Sequence, residues 1–369
     1  MKVFFDSKIS AIQSRGGISR IAFELIHSLS KKKDLEMSFY RGLYQDKYPY
    51  KKEWFKKYYA LKPSTFFNSR LVNFLDSLGS AGVYRLHAKD KPIYHSLYHR
   101  IPKKSTGPLV VHAYDLIQEL LYDMPKSVEF KKKSFLAADL IVSISQSTKN
   151  DLCKLYPVDP DKIIVAHCGV DEIFFKDSNV LKPENKRPYM LYVGGRGYSY
   201  KNFNLLLDTF IGKKYFFDFD LLLVGGEKEL TPEQKEKVKN TLWLGSGRRS
   251  WLVQEFCDDE RLTQLYNNAT VFIYPSHYEG FGIPPLEAMA AGCPVIACNI
   301  SSLPEVVGDA GLLFNPEDQN DLAVKIESIV TDKALAGSLV EKGKVRARQF
   351  TWDAMAGKVY QAYLGLKNN

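Results

Sequence analysis

Tyr274-Pro-Ser-His-Tyr-Glu279-Gly280-Phe281-Gly282-Ile-Pro284-Pro285-Leu-Glu287 is the stretch that decides how this chain is read. Before it, Thr270-Val-Phe-Ile-Tyr274 is β-branched and aromatic and reads as a short buried strand. After it, Leu286-Glu-Ala-Met-Ala-Ala291 reads as a helix closed by Gly292 and Pro294. Proline suits a first helical turn, where its missing N–H would have no partner anyway, so Pro284 and Pro285 mark the helix start. Gly280 to Ile283 are then a strand-to-helix loop whose glycines allow positive φ and close approach to a ligand. Its N–H groups and the helix start favour anions or hydroxyls. Glu279 falls on the loop and Glu287 in the first helical turn, so two carboxylates can address one ligand from different heights. Taken alone, such a pair has a plainer reading, one solvated Glu and one facing the helix dipole.

The whole string is more specific than the pair. E-G-F-G-x-P-x-L-E, with seven residues between the glutamates, resembles the donor-site signature of the retaining GT-B glycosyltransferases of family 4. The resemblance implies transfer of a sugar from a nucleotide diphosphate to an acceptor hydroxyl, with Glu287 on the ribose hydroxyls and Glu279 orienting the sugar. It also implies two Rossmann-like domains facing across a cleft.

A second strand-to-helix loop carries cations. Tyr189-Met-Leu-Tyr-Val193 leads into Gly194-Gly195-Arg196-Gly197-Tyr-Ser-Tyr200-Lys201-Asn202 and then the helical Phe203-Asn-Leu-Leu-Leu-Asp-Thr-Phe210. This suits a diphosphate: a guanidinium fork grips two oxygens, an ammonium adds a compact charge, and the helix start adds N–H donors. The spacing matches the family pattern V-G-x-R-x-x-x-x-K-N. It is not a dinucleotide fingerprint, because Tyr200 stands where the third glycine belongs, and no G-K-[ST] ends it as in a P-loop. In relatives the backbone before a later helix touches the base, which makes Phe256 and Cys257 base-site candidates.

The first half opens as strand, glycine loop and helix, with Gly16-Gly17 before Ile21-Ala-Phe-Glu-Leu-Ile-His-Ser-Leu29. A double glycine at a helix N-terminus is a plain turn or a phosphate cradle, and the family places a similar loop beside sugar phosphate and acceptor. Val110-Val-His112-Ala-Tyr114-Asp115 reads as a strand running into a loop and resembles the family's His-Asp or Tyr-Asp near the transferred sugar. Asp115 is the site residue of this stretch, with His112 and Tyr114 as weaker contacts. Asp159-Pro-Asp161 and Asp218-Phe-Asp220 suggest a metal site, yet both precede their strands, whereas ligands in open α/β sheets bind beyond the carboxyl ends. No catalytic metal and no cofactor is expected.

Length, charge and cysteines bound the rest. The 369 residues suit two domains, 1–176 with a final helix at 351–369 crossing back, and 177–350 for the donor, joined by a polar, proline-bearing linker at 177–188. Parallel strands alternating with helices are the pattern in each half, an α/β class. No run of eighteen apolar residues appears, and the five cysteines include no C-x-x-C, so the expectation is a reduced, cytoplasmic protein without a zinc site. A net charge of +9 favours an anionic partner. Lys51-Lys52-Glu-Trp54-Phe55-Lys56-Lys57-Tyr58-Tyr59 reads first as a helix with a solvated basic face and a buried aromatic face, second as a contact with an anionic membrane surface, and only distantly as a nucleic-acid site. No nucleic-acid partner is expected.

The resemblance implies a retaining, metal-independent hexosyltransferase acting on a saccharide or lipid-linked glycan. Its Tyr-Asp and E-G-F-G pattern is similar to O-antigen and exopolysaccharide mannosyltransferases, which points to mannose from GDP-mannose, with UDP-glucose-type donors open. A sugar-nucleotide epimerase on the same fold and a non-catalytic sugar- or nucleotide-binding subunit are the rival readings. The latter would require a damaged donor site, whereas Arg196, Lys201, Glu279 and Glu287 are all present.

Overall fold

The computed structural model describes the chain apart from residues 62–68, 123, 177–186, 228, 243–250 and 369. The chain forms two compact units, Met1–Gly169 with Thr351–Asn369, and Val170–Phe350. The first domain therefore ends at Gly169 and not at 176. A 3-10 turn at Glu172–Phe175 seats the fully buried Phe174 beside Tyr266, 6.1 Å between ring centroids, and this ties the stretch to the second unit. The linker read at 177–188 lies, as far as 186, outside the described residues.

The first unit runs β1 (Lys2–Asp6), α1 (Lys8–Ile12), α2 (Gly17–Ser30), β2 (Glu36–Leu43), β3 (Lys57–Leu61), α3 (Ser69–His87), β4 (Ile93–Ser96), β5 (Leu109–Ala113), α4 (Ile117–Leu120), α5 (Pro125–Ala137), β6 (Leu140–Ser143), α6 (Gln146–Leu155) and β7 (Ile163–Val165). The second runs β8 (Tyr189–Val193), α7 (Phe203–Gly212), β9 (Asp220–Val224), α8 (Pro232–Leu242), β10 (Leu252–Glu255), α9 (Asp259–Asn268), β11 (Val271–Tyr274), α10 (Ile283–Ala290), β12 (Val295–Cys298), α11 (Leu303–Val307), β13 (Leu312–Phe314), α12 (Gln319–Thr331) and α13 (Lys333–Ala347). The last helix, α14 (Trp352–Asn368), belongs to the first unit. The Thr351 hydroxyl accepts from the Ala354 N–H at 3.0 Å at its start, and its buried Tyr363 hydroxyl meets the His95 Nδ1.

Both sheets are parallel, in the orders β3-β2-β1-β4-β5-β6-β7 and β10-β9-β8-β11-β12-β13. Strands such as β5, β6, β11 and β12 are buried along their whole length, as continuous apolar runs covered on both faces must be. In each sheet the order reverses beside the first strand, between β1 and β4 and between β8 and β11. The carboxyl ends flanking such a reversal leave a crevice for a ligand. The loops after β8 and β11 lie on the two sides of the second reversal, and they are the two loops singled out in the sequence.

The Lys/aromatic stretch at 51–59 is not a helix. Lys52–Trp54 is one 3-10 turn and Lys57 begins β3, the edge strand. The expected separation of faces does hold: Trp54 stacks on His27 at 4.9 Å and Phe55 on Phe39 at 4.9 Å, while Lys51, Lys52, Lys56 and Lys57 are exposed.

Candidate active site

The loop after β8 is built around close backbone approach. Gly226, at φ +70°, passes so near that an added Cβ would stand 2.4 Å from the Gly194 carbonyl oxygen. This packs the loop after β9 against the loop after β8. The Glu227 carboxylate accepts from the Arg196 backbone N–H at 2.5 Å and from that of Gly197, and the Arg196 carbonyl accepts from Gln234 at 3.2 Å. These bonds outweigh burial and hold the Glu227 carboxyl below its ordinary range.

The Arg196 guanidinium is drawn inward, where one terminal nitrogen donates to the Gly225 carbonyl at 2.7 Å. The residue is only 4% exposed, and its Nε and second terminal nitrogen have no partner among the described residues. Burial lowers its pKa, with Glu227 opposing. A buried guanidinium with unused donors is costly unless an anion completes it.

Lys201 closes a 3-10 turn at Ser199–Lys201, and Asn202 in the left-handed region starts α7. Its ammonium donates to the Glu279 carboxylate at 2.7 Å and to the Tyr274 hydroxyl at 3.2 Å. Burial acts to lower the Lys201 pKa, but Glu279 and Tyr274 more than reverse this and hold it well above the usual lysine range. The two loops are also joined by the His277 N–H donating to the Tyr200 carbonyl at 2.7 Å.

The Glu279 loop is clamped from the α11 side. The Ser301 hydroxyl accepts from the Glu279 N–H at 3.0 Å, and the Ser302 hydroxyl lies 2.8 Å and 2.7 Å from the carbonyl oxygens of Glu279 and Phe281. Gly282, at φ +110°, is the N-cap of α10; an added Cβ would stand 2.9 Å from Leu303. Gly280 and Phe281 are buried in this loop. α10 begins at Ile283, so Glu287 lies just past the first turn, 4% exposed, with the Tyr266 hydroxyl 3.5 Å away. Gly195 sits under Tyr198, 3.0 Å from where its Cβ would be. At the exit of β10, Phe256 is 57% exposed and Cys257 half-buried, its thiol pushed up to about 11 by burial and Glu255. Asp258 caps α9 through the Arg261 N–H.

In the first unit, α2 starts at Gly17, with Gly16 as its N-cap. The Gln13 side-chain oxygen accepts from the Ser19 N–H at 3.2 Å and the Ser19 hydroxyl at 3.0 Å, so this helix start already has one acceptor of its own. Asp115 follows β5; its carboxylate is 26% exposed, accepts from the Ile117 N–H at 3.2 Å, and lies 3.7 Å from the buried Lys131 ammonium. Lys131 also donates to the Asp115 carbonyl and to Glu119, both at 2.8 Å. His112 and Tyr114 are turned inside. His112 is fully buried with neither ring nitrogen partnered among the described residues, stacked with His95 at 4.8 Å and Tyr114 at 5.2 Å, and the Tyr114 hydroxyl donates to the Leu97 carbonyl at 2.9 Å. Asp220 opens β9, at the amino end of the sheet, and pairs with Arg187 at 3.6 Å.

Reading the sequence alone misses Tyr274, Glu227, Gln234 and Lys131. Tyr274 reads as the last residue of a buried strand, and Gly225-Gly226-Glu227 as an ordinary strand exit. The signal that could have found Glu227 is that its strand must neighbour β8.

Two family models divide the chain: "Glycosyltransferase Family 4" matches residues 15–173 and "Glycosyl transferases group 1" matches 174–346. The chain is 29% identical over 292 residues to the O-antigen chain mannosyltransferase B of Escherichia coli, covering 73% of this chain and 74% of that protein. It is also 29% identical to a serotype-specific mannosyltransferase of Escherichia coli over 62% of this chain, but that match spans only 28% of the longer relative. Among solved structures, the sucrose-phosphate synthase of Thermosynechococcus elongatus superposes with a TM-score of 0.77 at 20% identity, covering 100% of this chain and 99% of that one. With both halves matched by glycosyltransferase models and the fold shared over the whole chain with a solved structure, the chain belongs to the family 4 glycosyltransferases of GT-B architecture.

Proposed function

We propose that this protein is a retaining, metal-independent mannosyltransferase that moves mannose from GDP-mannose to a hydroxyl of a saccharide or lipid-linked glycan. The observation that carries the reading is that the loop after β8 supplies two cations, Lys201 paired with Glu279 across the reversal of the second sheet and Arg196 buried against the loop after β9 with two nitrogens left over. The mannosyltransferase relatives favour mannose over other hexoses.

In this scheme the bond from the anomeric carbon to the diphosphate oxygen breaks as the acceptor oxygen bonds to the same face. The acceptor's proton passes to the departing phosphate. Negative charge grows on the leaving oxygen, so the unpaired nitrogens of Arg196, the Lys201 ammonium and the loop N–H groups stabilise it. Positive charge grows on the anomeric carbon, where Glu279, already shared with Lys201, orients sugar hydroxyls without attacking. Glu287 takes the ribose hydroxyls and Phe256 with Cys257 the base. Asp115, with the Gly16–Gly17 loop, serves the transferred sugar and acceptor. Two cations supply the charge that a metal would, and the Asp-x-Asp of β9 lies at the wrong end of its strand for that task. If the acceptor is lipid-linked, the exposed lysines at 51, 52, 56 and 57 draw the first unit to anionic headgroups.

A thermal-shift panel of GDP- and UDP-sugars tests the donor, since a ligand present at many times its Kd raises apparent stability. Stabilisation by GDP-mannose and GDP is expected; stabilisation by UDP-sugars alone overturns the mannose assignment. Transfer with excess EDTA tests the chemistry. Turnover lost on chelation and restored by Mg²⁺ or Mn²⁺ overturns the metal-free scheme.

A further inference from the structure

We infer that Tyr274 is a positioning residue for transfer, its buried hydroxyl aiming the Lys201 ammonium at the departing diphosphate. The inference rests on the reading of Lys201 given above and adds a residue to it.

Tyr274 is the last residue of β11 and 2% exposed. A tyrosine whose ring is wholly enclosed is ordinarily there for packing, and its hydroxyl must find a partner. Here the partners are the two charged groups of the site: the hydroxyl accepts from Lys201 at 3.2 Å and is hydrogen-bonded to Glu279. Glu279 in turn accepts from Lys201 at 2.7 Å, so the three side chains close a triangle. The rings of Tyr200 and Tyr274 wall the ammonium at 5.1 and 5.4 Å.

The geometry has a consequence for direction. An ammonium has three N–H bonds and spins freely about its bond to carbon. With one acceptor, Glu279, the other two N–H bonds are only loosely placed. A second acceptor on a different side stops the spin, and the third N–H then has one direction. The lysine side chain is 14% exposed, and the third N–H is the one proposed for the diphosphate. A fixed donor counts for more where charge develops late, because its orientation costs nothing at the moment of reaction. Tyr274 touches neither sugar nor phosphate in this account and acts through Lys201 alone.

The test is a double-variant cycle with Tyr274→Phe and Lys201→Ala, read as single-turnover GDP release from GDP-mannose with mannobiose or water as acceptor. GDP binding is measured by calorimetry and folding by circular dichroism. Losing one hydrogen bond to a charged group is expected to slow release about tenfold in Tyr274→Phe, with GDP affinity within about threefold of wild type by the same reasoning that places the effect in the transition state. In the Lys201→Ala background the hydroxyl has no ammonium to aim, so adding Tyr274→Phe is expected to change the rate less than about twofold. A merely structural tyrosine would slow both backgrounds alike. Independent, multiplying effects, or a Tyr274→Phe enzyme within about twofold of wild type while Lys201→Ala is crippled, overturn the inference and leave the reading of Lys201 standing. Lys201→Ala at wild-type rate overturns both. Should the phenylalanine variant not fold, Tyr274→Met removes the same hydroxyl and carries the same comparison.

Discussion

Replacing Lys201 with alanine separates what this residue does for the fold from what it does for transfer. Its ammonium lies 2.7 Å from Glu279, with the two side chains 14% and 12% exposed. At an effective dielectric of about 20, two unit charges at that separation attract by roughly 6 kcal/mol. Desolvation of both groups offsets most of this. Removing one member, however, strands the other, which costs about 3–5 kcal/mol for a buried pair. The residual exposure of Glu279 places the expected loss near the lower end, about 3 kcal/mol. Lys201→Ala should therefore fold with a lowered urea midpoint. Lys201→Ala combined with Glu279→Ala should regain most of that stability, because no unpaired carboxylate remains. Transfer should behave oppositely: the single variant loses about 10²–10³ in rate, and the double variant regains none of it. Urea denaturation followed by circular dichroism, beside single-turnover transfer, reads both quantities. A double variant no more stable than Lys201→Ala would refute the stranded-charge argument. Near-wild-type transfer by the single variant would refute the catalytic one.

Arg196→Ala should weaken both GDP binding in calorimetry and the rate of transfer if, as proposed, its two leftover nitrogens take phosphate oxygens in the ground state as well as the leaving oxygen. Acid should destabilise the first unit through His112, whose burial pushes its pKa down to about 3 from 6.5. The unfolded chain takes up a proton that the folded one refuses, so stability is full above about pH 6.5 and falls by up to about 1.4 kcal/mol per pH unit on going down toward 3. His112→Phe should flatten that slope in urea titrations at pH 7 and 4.5, and an unchanged slope would count against it. The lysines at 51, 52, 56 and 57 should carry the protein to anionic vesicles at low salt and release it as salt rises; absence of flotation at low salt would remove the membrane contact.

What the sequence reveals of this site, and what it hides, follow from one distinction. Each strand-loop-helix unit is local: Val193-Gly-Gly-Arg196 and Tyr274 to Glu287 carry their own strand pattern, glycines and helix start, so the two loops are legible without knowledge of the rest. The boundary at Gly169 is hidden because Phe174 is held by Tyr266, far away in sequence. The non-helical course of residues 52–61 is hidden because Lys57–Leu61 is a strand through its pairing with β2. Glu227 supports the Arg196 backbone only because β9 lies beside β8, and Tyr274 meets Lys201 only because β11 lies on the other side of β8. The missing information is thus the strand order. Once the order β9-β8-β11 is known, the parallel sheet puts the three loop exits side by side at one end. A carboxylate leaving β9 and a hydroxyl ending β11 then have the cationic loop of β8 between them. Two nitrogens of the Arg196 guanidinium are what the described residues leave incomplete, and an anion is the partner proposed for them.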